Sequence, residues 1–419
     1  MRDFDVIVVG AGTAGAAAAA DLSWRGLKTL CIDRRPLDGA GATWVNAVPR
    51  WAFDDAGVAQ PAGDELLGEG HRFNFVCGYG PEKITLDEHG VLEVDMRLLV
   101  ARLQALARQR GAVLEGNTTA LACRGDALDT SSGPVRGRWI VDASGLAGSG
   151  LFEAPPVARE DLCVAAQEMR ELADPAAARA FFARHGVEPG DTLCFTGIAG
   201  GFSIINVRLE GEHLSILCGS IPALGNPSGQ KMLDQFVASN PFIGPRRFGG
   251  ARAIPLARPR ERLVRGNVIA LGDVAGQVFS AHGSGIGAGL VAARMVGEAL
   301  AKGRPYDYAV AWQRRFGGTF AAYDVVRRFS QTLSETDLRE LMRAGLIDPI
   351  SATAAMQQRF PSLGLRSSIR RLQGAASVPK LALRFGPMLA KMAALLVFYR
   401  SYPSDERLLD TWISAARRL

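Results

Sequence analysis

Lysine is nearly missing from this 419-residue chain: six lysines stand against 42 arginines. Richness in arginine and alanine at the expense of lysine is a signature of genome composition. The net charge of +6 therefore says little about partners. The chain has no block of like charges and no interleaving of basic with aromatic residues, so a nucleic-acid footprint is not expected. Only six cysteines occur, scattered at 31, 77, 123, 163, 194 and 218, with no C-x-x-C pair. A reduced, cytoplasmic setting is the expectation. Five histidines without ligand spacing argue against a metal site. No run of 18 uncharged apolar residues exists, so no membrane span is expected. The small, apolar stretch 6–20 fails as a signal peptide, because Asp3 and Asp5 precede it and Asp21 follows it. What remains is ordinary globular composition, 48% hydrophobic and 21% charged, long enough for two or more structural units.

Residues 4–33 carry the strongest positive signal. An apolar run ends in Gly10, Ala11, Gly12, Thr13, Ala14 and Gly15, continues through an alanine-rich segment, and closes on Leu30 to Asp33. This order predicts a strand, a G-x-G-x-x-G turn, a helix and a second strand with a terminal acid, which together hold a dinucleotide. Gly10 permits the turn, Gly12 leaves room for a pyrophosphate, and Gly15 lets the helix lie close to the sheet. The helix start presents unpaired N–H groups to the phosphates. Asp33 is placed to accept from a ribose, with Arg34 beside it.

Further along, 34–60 reads as an irregular stretch rich in Gly, Pro and Trp. Met96, Leu99, Leu103, Leu106 and Ala107 recur at helical spacing, with Gly111 as the stop. Strands are predicted at 113–115 and 138–141. Segments 192–197, 202–209 and 213–221 are short, β-rich and separated by glycine turns, which predicts an inserted, mainly antiparallel sheet. A strand at 267–271 and a helix from Ile286 to Ala301 follow. From 306 to 419 only helices are predicted, one opened by a capping signal at Ser334 and Asp337. The expected units are 1–75 with 95–154 and 259–325, then 76–94 with 155–258, then the helical region 326–419.

The stretch from Val268 through Gly272, Asp273 and Gly276 to Gly283, Ser284, Gly285, Ile286 and Gly287 resembles the second FAD fingerprint of flavoproteins. Together with the first glycine turn and Asp142 to Gly145, it resembles the superfamily of p-hydroxybenzoate hydroxylase, the geranylgeranyl reductases and the flavin halogenases. The resemblance covers roughly residues 1–330. It implies an α/β fold: a Rossmann-like FAD-binding domain of the glutathione-reductase type, an inserted antiparallel-sheet substrate domain and a helical C-terminal region. It also implies that Asp273 binds the ribityl chain, while 283–287 and the helix beginning at Ile286 face the flavin ring. A positive helix end there stabilises charge on the reduced ring.

The form of Gly272 to Gly276 and the helical tail resemble the geranylgeranyl reductases most. The chain departs from that group where Gly201 to Asn206 replace an aromatic-rich signature, and where Thr43 to Asn46 replace a Cys-Gly pair. Candidate catalytic residues are His282 in the flavin-facing loop, and Trp44 and Asn46 in the segment beside the ring. Each also has a bland reading: a loop histidine bonded to backbone, a buried structural tryptophan. Phe202, Ile204 and Val207 are candidate cavity walls on the inserted sheet. Lys83 is read as an exposed lysine. The apolar segment 379–400 is read first as a core-facing helix, and second as a peripheral membrane contact or cover over a lipid-like substrate.

The expected function is an FAD-dependent oxidoreductase acting on a hydrophobic small molecule by reduction or dehydrogenation. NAD(P)H or another electron donor is the expected co-substrate. A flavin monooxygenase of secondary metabolism is the alternative, with a halogenase or a non-catalytic nucleotide-binding scaffold behind it.

Overall fold

Val6, Ile7, Val8 and Val9 are buried almost completely, as a parallel strand covered by helices on both faces requires. In the computed structural model, which describes residues 1–69, 72–362 and 364–419, they lie in strand Arg2–Val9. Val135–Asp142 pairs with it on one side and Thr29–Ile32 on the other, both in parallel. Val268–Ala270 extends the first side and Val113–Glu115 the second, again in parallel. The carboxyl ends of these strands line one rim, so Gly10, Asp33 and Ala143 follow directly and Gly272 two residues on. Ligands of open α/β sheets bind along such a rim.

Helix Thr13–Trp24 and helix Ile286–Ala301 pack against one another at glycine distance. A Cβ added at Gly297 would lie 1.8 Å from Asp21 Oδ2, and one at Gly289 would lie 3.2 Å from Ala14 Cβ. The small residues thus set the approach of the two helices.

The second sheet has seven strands, in the order Ile243–Pro255, Leu162–Leu172, His213–Ser220, Ile204–Glu210, Thr192–Thr196, Phe73–Cys77, Lys83–Leu86. All its pairings are antiparallel except that between Thr192–Thr196 and Phe73–Cys77. One face buries Ile205, Val207, Leu214 and Ile216 together with Phe181, Phe182 and Phe236 from helices Pro175–Arg184 and Gly229–Ala238. The opposite face turns toward the first domain. Strand alternation therefore corrects one expectation: Phe202 packs toward the site face, but Val207 points into the helix-covered core.

The stretch 34–60 is more regular than expected. It holds strand Val45–Pro49 and helix Arg50–Ala56, whose C-terminus stops at Gly57 in the left-handed conformation. Val45–Pro49 pairs with Val91–Asp95, which also takes Leu66–Glu69, forming a third, three-stranded sheet. Lys83 is exposed and donates to the carbonyls of His185 and Gly186, pinning a loop.

Among the described residues the tail is helical throughout. Helix Glu335–Arg343 carries the predicted capping box between Ser334 and Asp337. Helix Gly318–Ser330 is tied to the inserted sheet by a buried charge cluster. In it Arg327 and Arg328 each reach Asp161 at 2.8 Å, and both also contact Asp324. Helix Pro379–Tyr399 faces the core along one line, burying Leu381, Met388, Leu395 and Tyr399, while its other apolar residues remain partly or fully exposed.

Candidate flavin site

The glycine turn has the geometry its spacing predicts. Gly10 has φ +108°, and a Cβ there would sit 2.3 Å from the Ala143 carbonyl oxygen. A Cβ at Gly15 would lie 1.8 Å from the Gly10 oxygen, so the helix begins in contact with the strand end. Gly12 caps helix Thr13–Trp24 without a side-chain hydrogen bond, and no acid occupies the first turn. The N-terminal N–H groups are thus left for an anion. Asp33 is buried. Its Oδ2 accepts from Ala11 N and its Oδ1 from Arg35 N, each at 2.9 Å. These bonds hold the turn and still leave carboxylate lone pairs for a ribose. Arg34 is exposed, while Arg35 lies against Asp33. Gln104, invisible to motif reading, fastens the turn by donating to the carbonyls of Ala11 and Leu37.

The second motif lies beside the first. A Cβ at Gly272 would meet Ala14 Cβ at 3.4 Å, and Gly289 meets the same methyl. Ala14 is therefore the point where two turns some 260 residues apart converge. Gly272 has φ +71°, and its N–H donates to Gln277 Oε1 at 2.8 Å. Gln277 Nε2 in turn donates to the Tyr308 hydroxyl, which donates to the Ala270 carbonyl. This buried chain fixes the strand end that presents Asp273. Burial pushes the Asp273 carboxyl up, and the Arg252 charge opposes that rise. Gly285 caps helix Ile286–Ala301, again with no side-chain cap and no acid in the first turn. Gly287 packs against Ala52, and the Ser284 hydroxyl donates to the Ala47 carbonyl, bringing this loop to the 44–52 segment.

The inserted sheet closes the third side. Cys163, Ala165 and Gln167 alternate onto one face of Leu162–Leu172, with Ile254 and Arg252 directly opposite the first two. Gln167 Oε1 accepts from Val45 N at 2.9 Å. Arg252 donates to the Gly41 carbonyl and stands 5.9 Å over the Trp44 ring. Its guanidinium is depressed by burial and by the charge of Arg35, and supported by Asp273. Two cations that repel one another beside an uncapped helix start suit an anionic phosphate. Cys163, Ala165, Ile221 and Leu256, with Phe202 and Ile254 against them, form a small apolar patch. A Cβ at Gly283 would touch Ile254 and Leu256, so the patch adjoins the second loop. Burial pushes the Cys163 thiol up to about 12, which makes it a protonated wall rather than a nucleophile.

Of the candidate catalytic residues, Trp44 is buried under Arg252, with its carbonyl accepting from Met96 N. Asn46 lies opposite Val94 on the third sheet, its side chain partly exposed. His282 packs on Phe279 at 4.9 Å. Its Nδ1 accepts from Ser284 N, and its Nε2 is buried on the side of Ala355. Burial drives its pKa down to about 4. The imidazole is neutral near pH 7, which suits orientation of a bound group rather than imidazolium acid catalysis.

A pH prediction follows from that burial. A histidine in the unfolded chain titrates near about 6.5, whereas folded His282 titrates at about 4. Between those values the unfolded state takes up a proton that the native state refuses, so stability falls as pH drops through this window. Melting curves should show His282→Asn losing less Tm than wild type between neutral and mildly acidic pH. Parallel curves for the two proteins would remove His282 as a cause.

The comparisons with known proteins agree with this geometry. Residues 5–62 match the family model described as FAD dependent oxidoreductase. A digeranylgeranylglycerophospholipid reductase of Sulfolobus acidocaldarius is 25% identical over 445 aligned positions, covering 98% of this chain and 95% of the relative. The structure of a geranylgeranyl bacteriochlorophyll reductase-like protein from Thermoplasma acidophilum superposes with a TM-score of 0.73 at 18% identity, over 93% of this chain and 100% of that one. PqsL of Pseudomonas aeruginosa, solved with 2-aminobenzoylacetate, gives a TM-score of 0.60 at 14% identity, over 81% and 98% of the two chains. With two glycine turns meeting at Ala14 and an inserted sheet over them, the chain is a geranylgeranyl-reductase-like FAD-dependent oxidoreductase.

Proposed function

We propose that this protein reduces carbon–carbon double bonds of a hydrophobic, isoprenoid-like molecule. The observation that carries the reading is the apolar side of the inserted sheet adjoining Gly283, where the partly exposed Phe202 and Ile254 lie over the buried Cys163, Ile221 and Leu256. Such a wall orients a hydrocarbon and excludes water, and it offers no charge to bind a polar substrate. The name of the Sulfolobus relative, a reductase of an isoprenoid lipid, points to the same class.

In this reading Gly10 to Gly15 and Asp33 hold the nucleotide end of FAD. Gly272, Asp273 and Ser284 to Gly287 hold the flavin end. Bound and reduced, FAD would supply a hydride to a substrate double bond, with the balancing proton coming from solvent. The chain's own residues do the rest. Trp44 closes one wall and Asn46 offers a free amide at its edge. Neutral His282 orients what enters without adding charge. NAD(P)H or another electron donor restores the reduced state.

Enzyme reduced without oxygen and mixed with a geranylgeranyl lipid tests this. The flavin absorbance should return as the lipid gains two hydrogens per double bond by mass spectrometry. An oxygen atom from labelled O2 in the product would instead make the protein a monooxygenase.

A further inference from the structure

We propose that the outward face of helix Pro379–Tyr399, together with helix Leu365–Ser377 before it, docks on an anionic lipid bilayer. The helix has 21 residues, and its most apolar 18-residue stretch has a mean hydropathy of 1.6, yet only 22% of that stretch is buried. At 100° per residue, Leu381, Met388 and Leu395 form one line, which is buried in the protein. Leu383, Ala390 and Val397 form a line on the opposite side, and all three are exposed, Leu383 by 78% and Val397 by 67%. Gly386, Pro387 and Ala393 fill the space between them and are exposed too. The preceding helix adds Leu372, exposed by 72%, and Ile369. Contiguous apolar surface of this kind marks an interaction site rather than scattered surface residues.

Charge identifies the occupant. From Pro349 to Ser404 the chain has no Asp or Glu but eight Arg or Lys, although acids number 42 overall. Arg371 pairs with Asp348, Arg384 with Asp337, and Arg359 lies over Trp51. The other five, Arg366, Arg370, Lys380, Lys391 and Arg400, are exposed and have no ion-pair partner among the described residues. Lys380 and Lys391, neither of them ion-paired among the described residues, run along one flank of the apolar line, with the Asp337-paired Arg384 between them. An apolar stripe edged by unpaired cations lies in the headgroup region of an anionic membrane, with the apolar side chains in the acyl boundary. A second copy of the chain would bring the same cations face to face.

The surface also adjoins the site. Arg384 donates to the Thr332 carbonyl at 3.0 Å, and Thr332 lines a cleft of about 180 Å³ that includes Phe202. Phe202 packs on the apolar patch beside Gly283. Delivery of a membrane lipid through that cleft rests on the proposed function; the docking itself does not.

Flotation of the full FAD-loaded chain with vesicles tests the docking. The protein should rise with vesicles containing phosphatidylglycerol, rise far less with pure phosphatidylcholine, and be released by salt. Lys380→Gln and Lys391→Gln should each lower partitioning about fivefold, as one cation near an anionic surface contributes about 1 kcal/mol. Leu383→Asp with Val397→Asp, both at exposed positions, should abolish flotation while circular dichroism and turnover of a short soluble isoprenoid stay unchanged. Wild type that stays below the vesicles, or an Asp variant that still floats, overturns the proposal. So does a wild-type dimer that the Asp variant turns into a monomer, since the face would then belong to a second copy. Docking without any reduction of isoprenoids would sink the proposed activity alone.

Discussion

Gly12→Val should yield a folded, colourless protein. Gly12 has φ −73° and ψ −168°, extended backbone that any residue can adopt, so the substitution does not strain the main chain. A Cβ there comes no nearer than 3.1 Å to another atom, the Gly41 Cα, so the fold needs to yield only a few tenths of an ångström. The branched methyl groups instead fill the space over the uncapped helix start. Fluorescence titration of the apo-variant should show FAD affinity at least about 100-fold weaker, about 3 kcal/mol, with Tm of the ligand-free protein close to wild type. Gly10→Val is the contrasting control. It combines φ +108° with a Cβ 2.3 Å from the Ala143 oxygen, and should fail to fold. If Gly12→Val keeps its yellow colour and wild-type affinity, the first glycine turn is not where the pyrophosphate rests.

The elements written by local signals were legible in the sequence. Strand Val113–Glu115 and helix Ile286–Ala301 match their predicted bounds, because each lies between a clear start and stop. The 34–60 stretch hid helix Arg50–Ala56 because seven residues give too little periodicity. Its markers were nevertheless present: Pro49 at the entry and Gly57, with φ +65°, at the exit. The inserted strands are legible but not which face is covered: alternation puts Ile204 and Val207 on opposite sides, and only the helices packed on the sheet show that the Val207 side is the buried one. At the site the glycine turns were visible, since a close backbone approach demands a particular residue. Gln104 and Gln167 were not visible, since their partners come from remote positions and any long polar side chain can fill such a role. For helix Pro379–Tyr399 the spacing gives the core-facing line but not the apolar character of the opposite face, because amphipathic spacing reports that one face is buried, not that the other is polar.

Arg252 is the residue of this kind with the largest expected effect. It lies on the edge strand Ile243–Pro255, outside any motif, yet it reaches the Gly41 turn beside Gly12, the Trp44 ring and the field of Asp273. Arg252→Ala removes the bond that steadies the Gly41 turn and the charge that keeps Asp273 from rising further. FAD affinity should fall about 10- to 100-fold, as expected for loss of a partly buried, charge-assisted contact. Arg252→Lys should recover part of it, because an ammonium restores charge but not the planar fork. The sign of the pH effect is fixed by Asp273. Burial raises its pKa and Arg252 lowers it, so without Arg252 the carboxylate takes up a proton at a higher pH. A protonated Asp273 is a poorer acceptor for a ribityl hydroxyl, so Arg252→Ala should release FAD on acidification earlier than wild type. Adding Asp273→Asn to Arg252→Ala should then cost less than the sum of the two single changes, and should flatten that pH dependence. Additive losses with an unchanged pH profile would mean that Arg252 and Asp273 act independently, and that the inserted sheet merely covers the cofactor rather than tuning its grip.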